Sequence, residues 1–404
     1  MRQLCSWRCC PPSSRGDNAV KWLELVDGGT ASPFIARVCI SQAALRHLLP
    51  DFAADLSVPQ SCRHLRYPHL MQSSELSDVC SVLLQGGIAG SDIASTCRKL
   101  FQLLSGVAAD HRIAEAFTDT KLASGFALSP AGAAACIEDP LRTAMFVRGV
   151  WAAVEEAQRR FPGETIEIVY AGTGPFASLA LPVMALSSPE RLRFTLIDIH
   201  AESIRCLRAL LSHFGLDEFV RDFVNCDAAT YVHPAELPLH IVISETLQPA
   251  LSVEPQVTIT RQLAPQLSPG GLLIPEKIAV DFVLDDPVIF RTTEIDPEHK
   301  ARTMVGRAFT LDASAGDLIV RDGVIQLGEF ELPPALPDSA PALLTEIHVF
   351  GEFVLRERDS GLTTPWPIRD LEVWQGERVS LYYELGPMPG IRAVSLVDCA
   401  VTSS

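Results

Sequence analysis

The chain has 404 residues, 48% of them hydrophobic and 20% charged, with a formal charge of −16. That length accommodates two or three domains and a large core. The acidity excludes the usual nucleic-acid binder, which presents a basic face, and suits a cationic ligand.

Residues 1 to about 130 form an N-terminal region that carries few motifs. Cys5, Cys9 and Cys10 cluster before the turn-rich Pro11-Pro12-Ser13-Ser14-Arg15-Gly16. No Cys/His pair follows at zinc-site spacing, so this stretch reads as a disordered tail and no metal is expected. The eleven cysteines of the whole chain are odd in number and scattered, which favours a reduced, cytoplasmic protein. No apolar run reaches the roughly 20 residues that span a bilayer. Ile93 to Leu104 has apolar positions three or four apart and predicts a helix in a mostly helical region.

Residues 131–276 alternate strands and helices. Strands are predicted at Thr165–Tyr170, Phe194–Asp198 and Ile241–Ser244. Helices are predicted through Met184, from Ala201 to about His213, and over Val257–Leu267. Such alternation implies βαβ units and a parallel sheet. After Pro269-Gly270-Gly271 the pattern turns to short β-prone runs: Leu272–Ile274, Ile278–Val283, Asp317–Val320, Ile347–Phe350 and Val379–Tyr383. Residues 277–404 therefore read as a β-barrel or sandwich.

Tyr170-Ala171-Gly172-Thr173-Gly174-Pro175 joins the first strand of the middle region to a helix. Glycines there let backbone approach a ligand, and a helix start offers free N–H groups. Asp198, ending the next strand, is placed to bond ribose hydroxyls. The spacing fits a dinucleotide or S-adenosylmethionine. Ala177 stands where the third glycine of the dinucleotide fingerprint would be, which tilts the reading toward S-adenosylmethionine. Asp227 is placed either to accept from the adenine amino group or to cap a helix.

Glu245 follows an apolar strand directly, and Glu254 lies nine residues on. Two carboxylates brought together call for a cation, and a guanidinium matches carboxylates in pairs. The plainer alternative is that Glu254-Pro255 begins a helix while Glu245 pairs with Arg142 for structural reasons.

Taken in order, these pieces resemble the protein arginine methyltransferase family, within the class I S-adenosylmethionine-dependent methyltransferases. The resemblance covers roughly residues 139–385. It rests on Asp139-Pro140-Leu141-Arg142-Thr143, Ala171 to Phe176, Asp198, the stretch from Glu245 to Glu254, and Leu267 to Pro275. Thr363-Thr364-Pro365-Trp366-Pro367-Ile368 resembles the family's tryptophan loop. The resemblance implies a Rossmann-like domain followed by a β-barrel. It implies S-adenosylmethionine held by Arg142, Ala171, Gly172, Gly174, Asp198 and Asp227, with Arg142 on the methionine carboxylate. It also implies catalysis by Glu245 and Glu254, Trp366 against the substrate guanidinium, and a homodimer. Tyr170 replaces the first glycine of the cofactor loop, and Leu122-Ala123-Ser124-Gly125-Phe126 replaces a Tyr-Phe-x-x-Tyr segment. No long helical dimerisation arm is evident. These departures favour free L-arginine or a small guanidino metabolite as substrate. Arginine in proteins is the alternative, and a silent cofactor-binding partner subunit is the third reading.

Overall fold

The computed structural model describes residues 68–287, 302–333, 339–368 and 378–396, together with the strands β1 (Leu23–Leu25) and β2 (Ala36–Val38). β1 and β2 pair antiparallel within a unit of their own, Met1–Tyr67, and Pro68 begins the second unit. Cys5, Cys9, Cys10 and the turn-rich stretch after them lie outside the described residues.

The second unit is organised by a five-stranded parallel sheet. Its strands are β5 (Ile166–Ala171), β6 (Leu192–Asp198), β7 (Val220–Asn225), β8 (Ile241–Ser244) and β9 (Leu272–Ile274). They lie in the order β7-β6-β5-β8-β9. β5 is buried at every position, as its nearly continuous apolar run requires of a central strand covered on both faces. The chain steps outward from β5 to β6 and β7, then returns to the other side of β5 for β8. Ligands of such sheets bind beyond the carboxyl ends of the strands, where the order reverses. Here that place is between β5 and β8.

The three predicted strands of the middle region fall on β5, β6 and β8. Leu272–Ile274, grouped by its composition with the later β-rich part, instead completes the parallel sheet, with Ile241 opposite Leu272. β-propensity marks a strand without saying which sheet takes it.

Helices α1 (Pro68–Leu84) and α2 (Gly90–Ala108) pack on α5 (Leu181–Leu186) and α6 (Ala201–Phe214). α2 buries Ile93, Cys97, Leu100 and Leu104, the stripe its spacing predicts. Between these pairs come α3 (Pro130–Ala135) and α4 (Pro140–Arg160); α7 (Gln256–Leu263) follows β8 and ends short of the expected Leu267. No helix among the described residues is long and apolar enough to cross a membrane.

The remaining strands are β10 (Lys277–Asp285), β11 (Thr303–Asp312), β12 (Val324–Glu331), β13 (Ala340–Phe350), β14 (Phe353–Leu355), β15 (Trp366–Pro367), β16 (Arg378–Glu384) and β17 (Gly390–Leu396). They form two antiparallel sheets, β11-β10-β13-β14 with β15 on β13, and β12-β16-β17. The sheets meet through Phe282 against Phe330 and Phe309 against Tyr383, giving the barrel-like body expected of this part. Asp317–Val320 is not the strand its composition suggests. It follows a 3₁₀ turn over Ala313–Asp317, and Ile319 is exposed. That turn is the longest helix of the β-rich part among the described residues.

α4 joins the two halves. Asp139 caps it by accepting from the Arg142 amide, and Pro140 occupies the first turn, where its missing N–H costs nothing. The helix buries Phe146, Val147 and Val150 and lies against β5, β8, β9, β13 and β14. Gly149 makes the approach to the β-rich body possible, since a Cβ there would lie 2.4 Å from Val349 Cγ1. Gly149→Ala should therefore destabilise the fold by about 1–3 kcal/mol through overpacking, despite alanine's better helix propensity. A urea melt of the two proteins measures it.

Candidate active site

Four strand ends converge at the order reversal. β5 runs into Gly172-Thr173-Gly174, β6 ends at Asp198, β7 leads to Asp227 and β8 leads to Glu245. With Arg142 and Glu254 these residues line one cavity of about 260 Å³. Ala171 ends β5 inside the core and is not part of the cavity wall. Trp366 lines an adjoining cavity of about 180 Å³ with Asp119 and Phe126. The two cavities share Leu128, Gln248 and Glu254.

The glycine turn needs its glycines. Gly172 has φ +76, and a Cβ on it would meet Thr246 Cγ2 at 2.4 Å. Gly174 donates its N–H to Asp198 Oδ2 at 2.8 Å, while Asp198 Oδ1 accepts from the His200 amide at 2.8 Å. Asp198 thus ties the turn after β5 to the turn after β6, and each oxygen retains a lone pair for a ligand. Asp227 accepts from the Ala229 amide at 2.9 Å, so the carboxylate that lines the cavity also caps a short turn. The hydroxyl of Thr173 is buried at the cavity without a hydrogen-bond partner. It is a polar atom suited to a bound group.

The glutamates occupy different environments. Glu245 takes a two-point contact from Arg142, with Nε to Oε1 at 3.2 Å and the second Arg142 nitrogen on Oε2. The third side of the guanidinium donates to the Cys136 carbonyl at 2.8 Å. Burial pushes the Glu245 carboxyl up, and Arg142 opposes it. The forked contact keeps the pair charged. Glu254 has no such cation. Burial pushes its carboxyl up to about 7, with the Gln248 amide pulling the other way from 2.6 Å and Glu245 adding to the rise.

Asp139 does two jobs at this wall. One oxygen caps α4 beneath Arg142, and the other accepts from Ser360 Oγ at 2.7 Å and from the Gly361 amide at 3.0 Å. The β-rich body thereby contributes Gly361 and Leu362 to the cavity. Asp139, Cys136, His200, Tyr170 and Gln248 were not foreseen as site residues. Only Asp139 carries a local signal, the Asp-Pro of a helix start. Tyr170, in a glycine's expected place, is buried, and burial holds its phenol far above the usual range, so it stays protonated. Asp139, Asp198, Asp227, Glu245 and Glu254 face the cavity against the single guanidinium of Arg142. Such a lining attracts cations.

The backbone between the glutamates is strained. Ala250, Leu251 and Val253 hold φ of 57, 56 and 67. Non-glycine residues seldom adopt these values, and a β-branched valine least of all. Strain of this kind persists only where the surroundings over-determine it. The β-rich body supplies three bonds: Thr345 Oγ1 accepts from Ala250 N at 2.8 Å, Tyr383 Oη donates to the Leu251 carbonyl at 2.7 Å, and the Pro389 carbonyl accepts from Val253 N at 2.9 Å. From the other side, the hairpin of β3 (Thr120–Leu122) and β4 (Gly125–Ala127) donates the Phe126 amide to the Val253 carbonyl at 2.9 Å. Tyr383→Phe removes one of these bonds and leaves a buried carbonyl unpaired. It should cost about 1–3 kcal/mol. Hydrogen exchange should show the Ala250 and Val253 amides losing protection before the parallel sheet does.

No family model matches the chain, and no curated protein does. Solved structures with a similar course of the chain include the Trypanosoma brucei PRMT1 enzyme-prozyme heterotetrameric complex with AdoHcy. The TM-score is 0.43 at 12% identity, covering 62% of this chain and 86% of that one. Another is Arabidopsis thaliana protein arginine methyltransferase 10 in an open conformation. Its TM-score is 0.42 at 11% identity, again covering 62% of this chain and 86% of that one.

Proposed function

We propose that this chain is an S-adenosylmethionine-dependent N-methyltransferase acting on the guanidino group of arginine, as free L-arginine or a small guanidino metabolite. The observation that supports this most is the unequal pair of glutamates in one acidic cavity. Glu245 is fixed and charged, and Glu254 is poised near neutrality. S-adenosylmethionine would bring the methyl group on a sulfonium sulfur. Asp198 suits ribose hydroxyls, Asp227 the adenine amino group, and the Gly172–Gly174 backbone the close approach both need. Arg142 has two N–H groups beyond those spent on Glu245 and Cys136, and these suit the methionine carboxylate.

Glu245 holds the guanidino plane with its remaining lone pairs. Glu254 sits nearer the adjoining cavity and takes the proton that the methylated nitrogen gives up. A new N–C bond would form as the S–C bond breaks, and the displaced proton would end on a Glu254 oxygen. Orientation alone lowers such a barrier by several kcal/mol. In this reading the substrate's α-carboxylate points away from the acidic wall, past Trp366. Because Trp366 is 38% exposed at that end, arginine in a protein chain is the second reading. A cytoplasmic homodimer belongs to the same proposal, resting on the odd number and scatter of the cysteines and on the resemblance.

Below about pH 7 Glu254 is protonated and cannot take up the released proton, so kcat/KM for L-arginine should rise about tenfold per pH unit up to neutrality and then level. Within the complex, the neighbouring guanidinium favours the carboxylate, so the kcat profile should break at lower pH. Labelled S-adenosylmethionine, L-arginine and an arginine-rich peptide, assayed in parallel, separate the readings. Glu254→Gln should reduce transfer by about 10²–10⁴ and abolish the acid limb. Glu245→Gln should also inactivate, and it leaves Arg142 buried without its anion. Labelling of the peptide alone would establish the protein substrate. Cofactor binding without transfer to either acceptor would end the arginine assignment.

A further inference from the structure

Gln248 stands where the two cavities meet, sharing that junction with Leu128 and Glu254. Its place is fixed by its surroundings. Pro249 follows it and confines residue 248 to extended backbone, observed at φ −116 and ψ 169. The Gln248 carbonyl accepts from the Leu251 amide at 3.1 Å. Upstream, Gln256 Oε1 accepts from the Thr246 amide at 2.9 Å and from the Thr246 hydroxyl at 3.1 Å. The amide of Gln248 then donates to Glu254 Oε1 at 2.6 Å. Its own oxygen accepts nothing from the described residues.

We propose that Gln248 is a positioning residue: it aims the Glu254 carboxylate into the junction and offers its amide oxygen as a second acceptor to the guanidino group there. The inference rests on the arginine-methylating reading for the identity of the guanidino group, though not for the hold on Glu254. Two acceptors side by side, one ionisable and one neutral, match two N–H groups of one guanidinium edge. The neutral partner binds an N–H without adding negative charge, so the junction recognises the planar group without driving Glu254 further toward its protonated form.

The groups acting on Glu254 come from several elements. They are Glu245 at the end of β8, Arg142 on α4, Asp119 ahead of β3 and Cys136 ahead of α4. Glu245 and Asp119 favour its neutral form, while Arg142 and the Gln248 amide favour the carboxylate. Removing the amide leaves Arg142 as the only one of these groups opposing burial.

The test compares wild type with Gln248→Met, which keeps the length without a donor, and Gln248→Ala, which guards against a packing fault in the first. Glutamate δ-¹³C NMR follows the Glu254 titration, assigned by its loss in Glu254→Gln. Both variants should raise the midpoint by about half to one pH unit. The acid limb of kcat/KM should move by the same amount. KM for L-arginine should rise several-fold while KM for S-adenosylmethionine stays constant. A midpoint and acid limb unmoved in both variants would overturn the proposal. If wild type methylates no guanidine, the proposed function fails, and the NMR midpoint alone then decides whether Gln248 holds Glu254.

Discussion

The site depends on a loop that would not keep its shape alone. Three non-glycine residues in left-handed conformation carry the chain from Glu245 to Glu254, and the β-rich body grips that stretch through Thr345, Tyr383 and Pro389. Strand β8 fixes the first glutamate, because β8 belongs to the parallel sheet. The second glutamate takes its place from the other half of the molecule. The stretch that carries the second glutamate is thus gripped from both halves, whose contact includes the close approach of α4 to β13 at Gly149.

The same arrangement makes the carboxylates unlike. Glu245 meets a buried guanidinium held by α4, whereas Glu254 meets a neutral amide. Burial penalises charge at both; Arg142 opposes it at Glu245 through a forked contact and at Glu254 only from a distance. Two glutamates equal in sequence therefore divide into a fixed anion and a titrating group. Environments that push the properties of paired acids apart are how one site assigns separate roles to like residues.

Much of this was legible in the chain. The apolar runs ending at Ala171, Asp198 and Ser244 are strands whose carboxyl ends gather the glycine turn, Asp198 and Glu245. Strand-helix alternation carries enough local signal for that. Asp227 takes the capping role offered for it and also lines the cavity, and the pairing of Glu245 with Arg142, the plainer alternative, is present. What the chain hides is contact between distant segments. Nothing near Tyr383 marks it as a partner of Leu251, and nothing near Ser360 points to Asp139. Strand β11 also escaped notice, because its half-exposed, glycine-containing run lacks a regular alternation. Leu318-Ile319-Val320 looks apolar but follows the 3₁₀ turn without joining a sheet.

The position of Glu254 also makes the cavity a proton store. A carboxyl held near pH 7 is about half loaded in neutral solution, whereas an unconfined glutamate would be empty. A cation settling beside it shifts that balance toward the carboxylate and sends a fraction of a proton into the medium. Occupancy of the cavity is therefore exchanged against solvent hydrogen ions. Any heat of binding must then contain the ionisation heat of whatever buffer receives them.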